Sequence, residues 1–126
     1  MALKTPLARV LGLGSAKSGV DHWWWQRITS IALIPLGIWF VWSVISLAGS
    51  SHEVASGWLQ SPLNAALFVS FVLAVFWHAA LGLQVVVEDY VHTEWLKMAV
   101  LIAIKLLVAL FSVIAVLLVL RIFLGV

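Results

Sequence analysis

Three long apolar runs occupy most of this sequence and restrict it to one kind of fold. They extend from Ile28 to Ala48, from Ala65 to Val87 and from Leu96 to Leu124. Each has about 20 residues or more, the length that a helix needs to cross the hydrocarbon core of a bilayer. A backbone in that core has no water to bond, so it must form a helix or a closed barrel. We therefore expect three transmembrane helices.

The composition favours the same fold. Hydrophobic residues make up 64% of the 126 residues and charged residues only 10%, whereas a soluble domain carries about 25% charged residues. A transmembrane barrel would need alternating segments of about ten residues, and these runs are continuously apolar. The sequence thus predicts an all-α membrane protein with a single domain. The first run exceeds the apolar region of a cleaved signal, so we expect it to remain as a span.

The charged residues predict the orientation in the membrane. The loop of residues 49–64 has no Lys or Arg, which is typical of the outer side. The segment of residues 1–27 is basic, with Lys4, Arg9, Lys17 and Arg27 against Asp21. By the positive-inside rule we expect this N-terminal arm in the cytoplasm and the turn of residues 88–95 on the same side.

The start of the first span combines three tryptophans with polar residues in the stretch DHWWWQR, residues 21–27. Tryptophans favour the headgroup layer, so they predict an aromatic belt. Arg27 lies four residues after Trp23. A guanidinium at this depth either snorkels or pairs with an anion, such as a lipid phosphate, a cofactor propionate or a partner carboxylate. Both interpretations remain open from the residues.

His78 lies inside the second run, ten residues before Glu88, which is about 15 Å along a helix. That depth is close to the midplane, where an imidazole must find a hydrogen-bond partner or a metal. A bond between helices and metal ligation are both consistent with the sequence. Helical spacing places four residues on one stripe: His78, Gly82, Val85 and Asp89. Small residues there would admit a neighbouring helix or a flat macrocycle.

The cysteine and histidine counts limit any cofactor. The sequence has no cysteine, which excludes disulfides, thiolate and iron–sulfur ligation, and covalent haem attachment. The other histidines, His22, His52 and His92, lie in predicted loops or interfaces. If His78 ligates a six-coordinate haem b with two histidine ligands, the second must come from another chain.

Asp89 and Tyr90 end the second run, about 17 and 18 Å along the helix from His78. A tyrosine hydroxyl at the boundary can donate to a quinone carbonyl, and a neighbouring carboxylate can orient it or pass protons. The alternative is an aromatic belt followed by a polar turn. In the third run, Lys105 lies about 12 Å deeper than Lys97, and either snorkels or has an interior role.

Two ordered motifs carry a family resemblance. Arg27, Thr29 and Ser30 open the first span in the pattern R-x-[ST]-[AS], and His78, Asp89 and Tyr90 follow in the pattern H-x10-D-Y. On a chain with three spans, these motifs resemble the hydrophobic membrane-anchor subunit of succinate dehydrogenase, respiratory complex II, of alphaproteobacterial type. The resemblance covers nearly the whole chain.

The resemblance implies a role for each matching residue. The three spans would form half of a haem-binding helical bundle, completed by the partner anchor subunit. His78 would be an axial ligand of haem b, with the second histidine from the cytochrome b subunit of succinate dehydrogenase. Tyr90 and Asp89 would bind ubiquinone. Arg27 would lie near the haem propionates, and His22 would be a further haem contact, although Asp21 and His22 stand in the reverse of the family's usual order.

The implied function is to anchor the flavoprotein and iron–sulfur subunits to the bacterial inner membrane and to complete the ubiquinone site of succinate:ubiquinone oxidoreductase. The chain would have no activity alone, and we expect lipid but no nucleic acid among its other partners. Two alternatives remain. A haem b subunit of another quinone-linked dehydrogenase would need more than one membrane histidine in its own chain. The other is a haem-free structural anchor or assembly subunit.

Overall fold

Helices account for nearly all of the described chain. The computed structural model describes residues 5–11 and 17–126. Its helices are α1 (Pro6–Val10), α2 (Lys17–Leu47), α3 (His52–Leu59), α4 (Pro62–Tyr90) and α5 (Glu94–Leu124). No strand occurs within these described ranges. The prediction of an all-α membrane fold is confirmed, because α2, α4 and α5 are long and apolar enough to cross a membrane.

The helices extend beyond the apolar runs. The candidate spans are Gly19–Leu47, Pro62–Tyr90 and Glu94–Leu124. The largest extension is in α2, which takes in the three tryptophans and Arg27. Of the predicted N-terminal arm, residues 1–4 and 12–16 lie outside the described residues, α1 is a short helix and residues 17–27 belong to α2. A helix satisfies its own backbone bonds, so it need not end where the sequence becomes polar.

The loop between α2 and α4 contains α3, which the sequence did not predict. Gly49 has φ of 80°, a left-handed conformation that glycine adopts without strain and that turns the chain after α2. The Ser51 hydroxyl oxygen then accepts a hydrogen bond from the Val54 backbone N–H at 3.4 Å and caps α3. At the other end of α3, Leu59 packs with Ala65 and Val119 in a small buried cluster.

The central helix is α4, which packs against both α2 and α5. Burial in the described residues is sparse, because large apolar side chains on all three spans are exposed. The two buried polar residues among them are Thr29 and Ser43, both on α2. Exposed apolar surface of this kind is what a membrane protein presents to lipid or to other membrane subunits.

Candidate functional site

His78 lies in the line of contact between α2 and α4, which we call the α2–α4 seam. Aromatic pairs flank it on both sides. The rings of Trp25 and Trp77 have centroids 5.1 Å apart, and the rings of Phe40 and Phe71 are stacked at 4.5 Å and 18°. Both pairs bring the two antiparallel helices together, so the half-buried His78 is held between them. Trp25 therefore contributes to the seam through its contact with Trp77.

Thr29 is the hydrogen-bond partner of His78. The Thr29 side chain is only 7% exposed, and its Oγ1 lies 2.9 Å from Nδ1 of His78. Oγ1 is also 2.7 Å from the carbonyl oxygen of Trp25, to which the hydroxyl donates. The helix-to-helix bond considered from the sequence is therefore present. It engages Nδ1 alone, and Nε2 has no hydrogen-bond partner among the described residues.

His22 also bridges the two helices. It lies within α2 and not in a loop, and its Nε2 donates to the carbonyl oxygen of Leu81 at 3.2 Å. Leu81 is three residues after His78, so His22 lies about one turn of α4 closer to the predicted cytoplasmic side than His78 does. The other two histidines are placed elsewhere: His52 begins α3, and His92 lies in the turn between α4 and α5.

Arg27 lies at the depth of His78 but on an exposed face of α2. Its neighbour Trp25 contacts Trp77 and its neighbour Thr29 contacts His78, so Arg27 lies at about the same position along the helix pair as His78. Side chains of a helix point toward its N-terminus, and the Arg27 guanidinium carbon lies 5.5 Å from the centroid of the Trp23 ring. The guanidinium is therefore directed toward the predicted cytoplasmic side, in the geometry of a cation–π contact and of snorkelling.

Asp89 and Tyr90 form a second location at the end of α4. Both are exposed, and Tyr90 is 80% exposed. Tyr90 is twelve residues from His78 in one continuous helix, a separation of about 18 Å. The structure thus keeps the predicted haem ligand and the predicted quinone residues apart along one helix. The described residues contain no group of three or more His, Asp or Glu side chains able to hold a metal ion.

A groove of about 620 Å³ lies between α4 and α5. It is mostly apolar, and its polar side chains are Gln84, Lys105 and Ser112. Lys105 is exposed along this groove and not enclosed within the three helices, so its ammonium is free to snorkel toward the membrane surface.

Two features around His78 fit a flat ligand held through an imidazole, and α2 has a buried acceptor, unpaired among the described residues, three residues before Thr29. Nε2 of His78 has no partner within the described residues. A Cβ added at Gly82, one turn away on the same stripe, would meet nothing within 4 Å. On α2, Oε1 of Gln26 is buried without a hydrogen-bond partner in the described part of the chain. Such a group is normally satisfied by a ligand, a partner or water.

Comparison with known proteins identifies the family. The family described as succinate dehydrogenase/fumarate reductase transmembrane subunit matches residues 1–122. The chain belongs to this family. It is therefore a transmembrane subunit of the succinate dehydrogenase/fumarate reductase group, and the resemblance noted in its sequence is confirmed.

Individual relatives of this family member carry matching names. A succinate dehydrogenase hydrophobic membrane anchor subunit of Rickettsia bellii is 34% identical over 103 residues, covering 82% of each chain. The subunit of the same name from Paracoccus denitrificans is 28% identical over 100 residues, covering 79% of this chain and 78% of its own. A succinate dehydrogenase membrane anchor subunit of Reclinomonas americana is 35% identical over 81 residues, covering 62% and 68%. No solved structure matches the chain.

Proposed function

We propose that this chain is the membrane-anchor subunit of a succinate:ubiquinone oxidoreductase in a bacterial inner membrane, with its N-terminus in the cytoplasm. It would attach the flavoprotein and iron–sulfur subunits to the membrane and contribute to the haem b and ubiquinone sites. Membership of the transmembrane-subunit family and the names of the relatives support the anchor role. The haem and quinone roles rest on residues of α2 and α4.

His78 is the residue through which the chain would hold haem b. The single observation that carries this role is an imidazole at membrane depth, half-buried in the α2–α4 seam, with Nε2 unpartnered among the described residues. Arg27 and His22 would be haem contacts, and Gly82 leaves open space beside the ligand. A bound haem would accept and release single electrons. Nε2 of His22 is hydrogen-bonded to the Leu81 carbonyl of α4, and His52 and His92 lie outside the spans, away from His78. The second axial ligand would therefore come from the cytochrome b subunit.

Tyr90 and Asp89 would act on ubiquinone at the cytoplasmic end of α4. The exposed Tyr90 hydroxyl can donate a hydrogen bond to a carbonyl oxygen of the quinone head group. The Asp89 carboxylate can orient that hydroxyl or relay protons from water. Reduction of the quinone to the quinol takes two electrons, delivered through the iron–sulfur subunit, and two protons from the same side of the membrane.

The test is a reduced-minus-oxidised optical spectrum of the detergent-purified complex, comparing wild type with His78→Ala. We expect a low-spin haem b band in the wild type that is lost or converted to high spin in His78→Ala, because one axial ligand is removed. His52→Ala is the matched control, since His52 is exposed on α3 and its ring is hydrogen-bonded to the Ser56 hydroxyl of the same helix. The haem b band of His52→Ala should be unchanged.

The alternative is a haem-free structural anchor or assembly subunit, in which His78 serves only to join α2 and α4 through Thr29. This alternative predicts no haem absorbance in the wild-type complex. A wild-type band that survives unchanged in His78→Ala would place the haem ligands elsewhere and refute the role of His78.

A further inference from the structure

The hydrogen positions at Thr29 follow from three heavy-atom distances. Oγ1 lies 2.7 Å from the Trp25 carbonyl oxygen, 3.2 Å from the Gln26 carbonyl oxygen and 2.9 Å from Nδ1 of His78. A hydroxyl has one proton to donate and can accept through its lone pairs, whereas a carbonyl oxygen only accepts. Two oxygens 2.7 Å apart repel one another unless a proton lies between them. The Thr29 proton is therefore directed to the Trp25 carbonyl.

With its own proton committed, Thr29 can serve His78 only as an acceptor, so Nδ1 of His78 carries the proton. In a neutral imidazole the other nitrogen, Nε2, then has a free lone pair. We propose that Thr29 is a positioning residue that sets the tautomer and ring orientation of His78, so that Nε2 is available as a metal ligand. The inference rests on the proposed role of His78 as a haem b ligand.

Ser43 shows that the acceptor role belongs to Thr29 in particular. It is the other buried hydroxyl residue of α2 in the described chain, at 6% exposure, and it donates to the carbonyl oxygen of Trp39 at 2.7 Å. Its hydroxyl thus makes the same bond to the preceding turn, yet it has no histidine partner among the described residues. Ser43 therefore provides a matched control for loss of an intrahelical hydroxyl.

Removing the Thr29 oxygen leaves the His78 N–H without an acceptor at membrane depth. The ring then rotates or moves its proton to Nε2, and either change competes with binding of iron through Nε2. Hydrogen bonds to the second nitrogen of a ligating histidine fix its orientation and raise its basicity, and their loss typically lowers metal affinity roughly 10- to 100-fold. A weaker donor also stabilises ferric haem less, so the midpoint potential should rise.

The experiment uses the complete purified complex with Thr29→Val, Thr29→Ser, Ser43→Ala and His78→Ala. The rate of haem transfer to excess apomyoglobin and the midpoint potential of the haem are measured for each. Valine is close to threonine in shape but has no oxygen, so Thr29→Val should lose haem roughly ten times faster or more and have a raised potential. Thr29→Ser retains the oxygen and should behave as wild type, as should Ser43→Ala.

The outcomes separate this inference from the proposed function. Wild-type behaviour of Thr29→Val, together with haem loss in His78→Ala, would overturn the role of Thr29 and leave His78 as the ligand. Equal effects of Thr29→Ser and Thr29→Val would assign the effect to the methyl group and also overturn it. Unchanged haem in His78→Ala would overturn both proposals.

If Thr29→Val fails to assemble, Thr29→Cys can be tested in its place. Thr29→Cys is close in size to Thr29→Ser, but a thiol is a weak acceptor. It should lose haem faster than Thr29→Ser, and equal rates for the two would refute the acceptor role.

Discussion

Gly82 lies one helical turn from His78 on the same stripe of α4, and a Cβ added there would meet no atom within 4 Å. The absence of a side chain at this position is therefore not explained by packing within the chain. It keeps the surface beside the imidazole flat, so that a planar group ligated by His78 could lie close to the backbone.

A large side chain at Gly82 should therefore impair the haem site without disrupting the helix. We expect Gly82→Ala to assemble normally, since alanine favours a helix over glycine by about 1 kcal/mol, and Gly82→Leu to reduce the haem-to-flavin ratio of the purified complex. Gly57→Leu on α3 is the control, because Gly57 also faces open space. Equal haem content in the two leucine variants would contradict a ligand beside Gly82.

Phe40 and Phe71 should stabilise the seam as a coupled pair. Lipid solvates an isolated ring as well as the protein does, so the free energy gained comes from close packing. The stacked rings, 4.5 Å apart at 18°, should show a coupling of about 0.5–1.5 kcal/mol. A double-mutant cycle of Phe40→Leu and Phe71→Leu, followed by thermal denaturation of the complex, measures it. Phe111→Leu, at an exposed position of α5, should have a smaller effect than either single change.

The sequence sufficed for those parts of the fold that depend on the bilayer alone. An apolar run of about 20 residues must span as a helix, so the existence of three spans followed directly. The distance of His78 from the end of α4 followed as well, because the helix is continuous and its rise per residue is fixed. The helix ends could not be predicted, since helical backbone bonding continues beyond the apolar run, as it does in α2 through its tryptophans.

The partners of His78 could not be predicted, because they depend on how two helices cross. Thr29 was visible only as part of a motif, and nothing in its spacing specifies that it meets a residue 49 positions away. The same holds for Trp25, whose headgroup preference suggested a belt but whose ring packs against Trp77. One signal was available: a threonine inside a span must place its hydroxyl, and a nearby intramembrane histidine is a suitable partner.

The hydroxyl of Tyr90, and not its ring, should determine quinone reduction. Tyr90→Phe retains the aromatic ring at the exposed end of α4, so it leaves an aromatic belt intact and removes only the donor. A hydrogen bond to a group that develops charge contributes about 1.5–3 kcal/mol, which corresponds to a loss of about 10- to 100-fold in kcat/KM for ubiquinone. Succinate oxidation by an artificial acceptor that takes electrons from the soluble subunits should be unchanged, because that electron route bypasses the proposed quinone site at Tyr90.

The control variant is Trp95→Phe, which changes another exposed aromatic residue near this end and should retain quinone activity. If Tyr90→Phe reduces ubiquinone at the wild-type rate, the Tyr90 hydroxyl is not the donor to the quinone, and Tyr90 has the role of an aromatic-belt residue.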